Sequence, residues 1–139
     1  MKSNRFATLS LLALALLVSV PSTFAQIKAK ANVPFDFKVG KKALPAGRYE
    51  VASVSASAVS ITSRDAHAGV LSIVRAEYAN KNQSPKLVFH KYNDQYFLAQ
   101  IWDGSGDAGM QLPESKLEKE LEASNHGAIA AEEIVVALN

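Results

Sequence analysis

KLVFHKYNDQYFLAQIW, residues 86–102, is the stretch that decides the fold of this chain. Two runs rich in aromatic and β-branched residues, the composition that pleated sheets favour, stand on either side of Asn93 and Asp94. Asn and Asp tolerate the left-handed backbone that a tight hairpin loop requires. The stretch therefore predicts a β-hairpin with its loop at these two residues.

Similar strand patterns precede the hairpin. Residues 33–39 (VPFDFKV) alternate apolar and polar side chains, and Pro34 indicates a free edge because it cannot donate a ladder hydrogen bond. Turn signals follow at Gly40 and at residues 44–47 (LPAG). Further strands are predicted at three segments: GRYEVASV (47–54), AVSIT (58–62) and VLSIVRAEY (70–78).

The region after the hairpin changes character. A glycine-rich loop, DGSGDAG (103–109), is followed by a predicted short strand around 109–112 and then by Pro113. Proline suits the start of a helix because its missing N–H is no loss there. Leu117 and Leu121 would form a narrow apolar stripe on that helix. The pattern predicts a helix over about 113–124 and a closing strand over about 132–138, with a second short helix as the alternative to that strand.

The sum of these patterns is about seven to eight short strands at close spacing with one late helix. Such spacing favours an all-β fold. The regular alternation of strand and helix that a doubly wound sheet requires is missing from the pattern. We therefore expect a small antiparallel barrel or sandwich with one C-terminal helix, in a single domain over 26–139.

The first residues have the features of a secretory leader. Lys2 and Arg5 precede an apolar run at 6–20, and residues 23–25 (TFA) supply the small-x-small step that signal peptidase cuts. The run is about fifteen residues long, short of the about twenty that span a bilayer. The sequence predicts a cleaved signal peptide over 1–25, with a retained anchor as the alternative. The mature protein would then be periplasmic or secreted and would not span a membrane.

The sequence after the leader has no net charge, because it contains 13 basic and 13 acidic residues. Nucleic acid is therefore not an expected partner. The charge is uneven: 11 basic and 7 acidic residues lie between Gln26 and Leu112, and 2 basic and 6 acidic residues follow. Two interpretations stay open: an acidic helix lying on a mildly basic β body, or a bipolar surface that docks a partner. The chain has no cysteine, which excludes disulfides, thiolate metal sites and thiol catalysis.

Two stretches carry a recognisable pattern: VPFDFKVGKKALPAGRYEV (33–51), and LVFHKYNDQYFLAQIW (87–102) with GMQLPESKLEKEL (109–121). Together they resemble an uncharacterised family of small exported proteins from acidobacteria. The resemblance covers most of the chain after the leader. It implies a secreted β-rich domain, and it carries over no functional residue because none is assigned in that family.

The loop Asp103-Gly-Ser105-Gly-Asp107 is the best candidate for a metal site. Oxygen ligands at alternate positions can wrap Ca²⁺, and Glu114 stands at the twelfth position, where a loop of the EF-hand type supplies a bidentate carboxylate. Ala108 replaces the glycine expected at the sixth position, and a strand rather than a helix precedes the loop. A flexible β connection is the alternative, and no other cofactor is expected.

Four side chains of the hairpin form the candidate ligand site: His90, Tyr92, Tyr96 and Trp102. Neighbouring polar aromatic side chains often line a pocket, and an indole can stack on a ring or a sugar. The alternative is a cross-strand packing ladder with exposed polar tips, with Trp102 as a core or rim anchor.

Catalytic motifs are missing from the sequence, which has neither a nucleophile elbow nor a phosphate-cradling loop. We therefore expect a non-catalytic exported β domain that binds an envelope or extracellular protein or a small apolar ligand, or that has a structural role in the cell envelope. One alternative is a small secreted hydrolase that uses His90, Tyr92 and Asp103. The other is a Ca²⁺-dependent adhesion or matrix module.

Overall fold

The computed structural model describes residues 28–124 and 131–139, so the predicted signal peptide lies outside the described residues. These residues form eleven strands and one helix. Their bounds are β1 (Lys28–Val33), β2 (Phe37–Val39), β3 (Lys42–Leu44), β4 (Gly47–Ser55), β5 (Ala58–Ser63), β6 (Ala68–Ile73), β7 (Arg75–Tyr78), β8 (Lys86–Tyr92), β9 (Gln95–Trp102), β10 (Ala108–Gln111), α1 (Lys116–Ser124) and β11 (Glu132–Ala137).

The strands form two sheets. Sheet A has the order β1-β4-β5-β6, and sheet B has the order β11-β8-β9-β10-β7, with antiparallel neighbours throughout. The β2–β3 hairpin joins sheet B through a short parallel contact between Lys38 and Phe97. At one side, Lys30 and Asn139 exchange two backbone hydrogen bonds of 2.9 Å, which link β1 to the residues after β11. The sheets do not close into a barrel, so the arrangement is sandwich-like.

The all-β prediction is confirmed, but the strands are more numerous than the expected seven or eight. Two predicted strands are broken, and the short strand β3 lies between the two predicted turns. The run 33–39 is interrupted after β1, where Pro34 lacks an N–H. There Oδ1 of Asp36 accepts a hydrogen bond of 2.8 Å from the N–H of Ala46. The run 70–78 is broken at Val74, so that β6 belongs to sheet A and β7 to sheet B.

The hairpin of β8 and β9 is present as the sequence predicts. Its register runs from the pair of Lys86 and Trp102 to the pair of Tyr92 and Gln95, and Asn93 has the left-handed φ of 53° that the loop requires. A β-bulge at Ala99 shifts the register by one residue. The bulge leaves the Ala99 carbonyl free to accept a 2.9 Å hydrogen bond from the N–H of residue 112.

The core lies between the two sheets and is filled by side chains. Phe37 makes edge-to-face contacts with Tyr49 and Phe89, at ring centroid distances of 5.0 and 5.3 Å. The Tyr49 hydroxyl donates a 2.6 Å hydrogen bond to the carbonyl of Pro45, so its polar tip is satisfied. The buried apolar residues of this core are Ala31, Val33, Phe37, Val39, Leu44, Tyr49, Val51, Val59, Ile61, Val74, Leu87, Phe89, Leu98, Ile101, Leu112 and Leu138.

Helix α1 lies on the outer face of sheet B, against β8. It begins after Ser115 rather than at Pro113, because the Ser115 hydroxyl accepts a 3.1 Å hydrogen bond from the N–H of Glu118 and caps the helix. The helix buries Glu118, which is 4% exposed, whereas Leu117 is 38% exposed and Leu121 is half-buried. The expected stripe of two leucines is therefore not the buried face of α1.

Within the described residues, no helix combines the length and the apolar character needed to cross a membrane.

Candidate functional site

The four predicted ligand-binding residues of the hairpin do not share one face. His90 and Tyr92 alternate with Lys91 along β8 and lie on the outer face of sheet B, beneath α1. Tyr96 pairs with Lys91 and therefore lies on the opposite face, towards the core. There its ring stacks on Phe35, with ring centroids 3.9 Å apart and an interplanar angle of 13°. The structure thus separates Tyr96 from the two residues on β8.

Trp102 lies on the outer face of sheet B at the other end of the hairpin. Its partner Lys86 lies four positions before His90 along β8, which places Trp102 about 13 Å away from the histidine. Its indole is buried, it packs directly against Gly109, and its Nε1–H donates a 3.1 Å hydrogen bond to Gln100. No ring face of Trp102 is open for stacking on a ligand. Its environment fits the packing interpretation.

The predicted calcium ligands are also separated. Asp103 uses Oδ1 to accept hydrogen bonds from the N–H and the hydroxyl of Ser105, at 2.8 and 2.7 Å. Asp107 is exposed at the end of the same loop. β10 then carries the chain about four residues, roughly 13 Å, away before it reaches Glu114. Among the described residues no group of acidic or histidine side chains is placed to hold a metal ion. Calcium binding stays a prediction, which calorimetric titration with millimolar Ca²⁺ tests.

The side chain that the structure brings to His90 is Glu118. Nδ1 of His90 lies 3.2 Å from Oε1 of Glu118, and the glutamate side chain is almost completely buried. The hydrogen bond to Glu118 raises the pKa of His90 above its ordinary value, against the opposing effect of burial. The negative charges of Glu133 and Glu114 add to the increase.

Tyr92 shares the environment of this pair. Its ring makes edge contacts with His90 and Phe97, at ring centroid distances of 6.5 and 5.9 Å. Burial, with the negative charges of Glu118, Glu122 and Glu114, raises the pKa of Tyr92 to about 12. The phenol therefore stays protonated in the physiological range. The arrangement attaches α1 to sheet B and leaves little room for a substrate next to the imidazole.

The hydrolase site of the sequence prediction is not assembled. Asp103 follows Trp102, so it lies at the far end of the hairpin and cannot orient His90. The carboxylate that contacts the imidazole comes from Glu118, which the sequence analysis did not single out. The signal that could have found it is the S-x-x-E sequence of residues 115–118, which is typical of a helix N-terminus.

A second site, also missed from the sequence, is an open groove on the outer face of sheet A with a volume of about 620 Å³. We call it the sheet-A groove. Across β1, β4 and β5, Lys30 stands opposite Glu50 and Glu50 opposite Thr62, and the next row pairs Asn32 with Arg48. The groove is lined by Lys30, Ala31, Asn32, Arg48, Tyr49, Glu50, Thr62, Arg64, Asp65 and Asn139. Apart from Ala31 and Tyr49, which belong to the core, the lining residues of the strands are the outward half of each alternating strand. Only the sheet order brings them together.

No protein-family model matches this chain, and comparisons with curated proteins and with solved structures give no match either. No residue role comes from a relative, and the resemblance to the acidobacterial family stays a prediction from the sequence motifs.

Proposed function

We propose that this protein is an exported, non-catalytic β domain that acts by binding a protein partner at its surface. The observation that carries the proposal is the filled interior: Tyr49, Phe89 and Leu44 of the core are among the largest side chains that are fully buried. A small apolar ligand needs a concave apolar pocket. The two concavities described, the sheet-A groove and a depression of about 350 Å³ between the β2–β3 turn and α1, are open at the surface.

The composition of these two surface sites favours a polar partner over an apolar ligand. Charged side chains line much of each: Lys30, Arg48 and Arg64 are in the first site, and Lys41 and Lys116 are in the second. The separation of the aromatic hairpin residues supports the same conclusion. In the described residues the predicted catalytic side chains do not converge and the core is filled, which favours contacts on the outer faces.

Export is supported by the leader at residues 1–25, with its basic start, its apolar run and the cleavage step that ends at Ala25. Without cysteine, the mature domain would depend on its packed core for stability in an oxidising compartment. The proposal therefore assigns the domain to the periplasm or the extracellular medium. If the partner is an envelope protein, the proposal includes a structural role for the domain in the cell envelope.

The test has two independent parts. Native-host cells are fractionated, and the intact mass of the recovered protein is measured. We expect a species that begins at Gln26, found outside the cytosol. A cytosolic species that retains Met1 would refute export.

Purified residues 26–139 are then photo-cross-linked in periplasmic and culture fractions, and the captured proteins are identified by mass spectrometry. We expect one saturable partner that unlabelled protein displaces. A variant with Arg75→Gln, on β7 and away from both surface sites, is the matched control and should capture the same partner. No displaceable adduct in either fraction would refute partner binding.

A further inference from the structure

Arg48 and Arg64 both line the sheet-A groove, and both are exposed. The β4–β5 ladder ends at the pair of Glu50 and Thr62, and Arg64 is the first residue after β5. The two arginines therefore stand at the same end of these strands, just beyond the last pair. Positive charges that share one groove repel. An anionic group bound between them would relieve this repulsion.

A carboxylate of the chain itself already occupies part of this position. Nε and Nη2 of Arg48 lie 2.9 and 2.8 Å from Oδ2 of Asp65. The two side chains are 78% and 58% exposed, and an ion pair that is this exposed contributes little to stability. A carboxylate from another molecule can therefore replace Asp65 on Arg48 at small cost. The contact with Asp65 shows that the Arg48 guanidinium binds a carboxylate, and that it does so through Nε and Nη2.

The other residues of the groove favour a peptide over a sugar. Asn32 and Thr62 are exposed and offer side-chain donors and acceptors for a peptide backbone. The aromatic residue of the groove, Tyr49, is buried and its hydroxyl is engaged by Pro45. Within the part of the groove that the structure describes, no aromatic face is open to a sugar ring.

We propose that the sheet-A groove binds an acidic peptide segment of the partner. Arg48 and Arg64 bind its carboxylates, a geometry for which the guanidinium group is well suited. Lys30 adds positive charge along the segment, against the negative charge of Glu50 opposite it on β4. Asp65 is an internal competitor that the segment displaces. The inference rests on the proposed function, since it requires that the partner is a protein.

The experiment is an NMR titration of residues 26–139 at low salt with a capped octapeptide of alternating Glu and Gly. The same peptide with Gln in place of Glu is the control ligand. We expect saturable shifts at the backbone amides of residues 48–50 and 62–65 with the acidic peptide only. Arg48→Gln and Arg64→Gln should each weaken binding about tenfold, because each removes a charge-assisted hydrogen bond. Arg75→Gln should leave the affinity unchanged.

The Asp65→Asn variant distinguishes two interpretations of the contact between Arg48 and Asp65: a binding site that Asp65 occupies, or a purely structural ion pair. Loss of the competing carboxylate should tighten peptide binding severalfold, whereas a purely structural role for Asp65 would leave binding unchanged or weaken it. The substituted side chains are exposed, so a far-UV spectrum and a melting curve like those of the unaltered protein verify the fold of each variant.

Three results would overturn the assignment. They are equal affinity for the Glu and Gln peptides, unchanged affinity in both arginine variants, and saturation by inorganic phosphate as strong as by the acidic peptide. The partner captured by cross-linking would remain captured in each case. Failure of the groove assignment is thus distinct from failure of the proposed function, in which no partner is found at all.

Discussion

Nδ1 of His90 on β8 lies 3.2 Å from Oε1 of Glu118 on α1, across the contact between the helix and sheet B. A buried carboxylate is costly unless it is paired, and the imidazole supplies that pairing. The helix is short, and the two leucines that its sequence offers are half-buried or exposed. The attachment of α1 to the sheet therefore depends on this polar contact more than on apolar packing.

Replacement of Glu118 by Ala should lower the free energy of unfolding by about 1–3 kcal/mol, because His90 loses its hydrogen-bond partner in a partly buried site. Chemical denaturation of the purified domain measures the change. Glu120→Ala is the matched control, since Glu120 lies on the same helix and makes an exposed ion pair with Lys116. The control should change the stability by about 0.5 kcal/mol or less. Equal losses in the two variants would contradict a special role for Glu118.

The stability should also depend on the protonation of His90. The pKa of His90 is raised in the folded state, so the folded protein binds the proton more tightly than the unfolded chain, in which the pKa is about 6.5. The contribution of protonated His90 to the free energy of unfolding is therefore fully present below about pH 6.5. It is lost as the pH rises through the higher pKa of the folded state.

An NMR titration of the His90 ring measures this pKa directly. Glu118→Gln should move it down towards its ordinary value, because the largest cause of the shift is removed. Glu120→Gln should leave it in place. A pKa of His90 that does not respond to Glu118→Gln would show that the pair is not formed in solution.

The raised pKa of Tyr92 predicts a second effect of pH on the folding stability, at alkaline pH. Its pKa is raised to about 12 in the folded protein, against about 10 in the unfolded chain. The unfolded chain loses this proton first, so folding stability should fall from about pH 10 upwards and the loss should be complete near pH 12. Tyr92→Phe should remove this part of the pH dependence, which urea unfolding between pH 9 and 11 detects. An unchanged slope in the variant would refute the assignment.

Gly109 is predicted to be intolerant of a side chain. A Cβ there would lie 2.5 Å from Cε3 of Trp102, a distance that real contacts do not reach. Gly109→Ala should lower the free energy of unfolding by about 1–3 kcal/mol through overpacking. It should also change the emission of Trp102, which is the only tryptophan of the chain.

The control for this variant is Gly69→Ala on β6. There the nearest atom to the new Cβ is Cγ2 of the exposed Thr62, at 3.1 Å, and this methyl group can move by a few tenths of an ångström. A smaller loss is expected, with no change in fluorescence. A Gly109→Ala variant as stable as the unaltered protein would mean that the indole does not rest on the β10 backbone.

The strands could be predicted because their signals are local. The aromatic and β-branched composition of 86–102 and the turn chemistry at Asn93 depend only on neighbouring residues, and the structure confirms the hairpin. The sheet order could not be predicted in this way. The pairing of β8 with β11 joins segments from different parts of the chain, and no sequence period encodes it.

The site residues were missed for the same reason. The period of α1 favours Leu117 and Leu121 as the buried face, and only the presence of His90, 28 positions earlier, makes the burial of Glu118 favourable. In the sheet-A groove, Arg48 and Arg64 are unremarkable in sequence, and only the strand order of sheet A brings them into one groove.

The outer side of β6 supports a last prediction, about self-association. β6 is the edge of sheet A in the described residues, and Leu71 and Ile73 on its outer face are 66% and 71% exposed. An edge strand with exposed apolar side chains is prone to pair with other chains. Ile73→Lys should therefore leave the free energy of unfolding within about 0.5 kcal/mol of the unaltered value while reducing aggregation at high concentration, as light scattering measures. Val70→Lys, on the inner face of the same strand, should destabilise the domain strongly because it places a charge against the core. If Ile73→Lys were as destabilising as Val70→Lys, the outer face of β6 would have to be covered in solution.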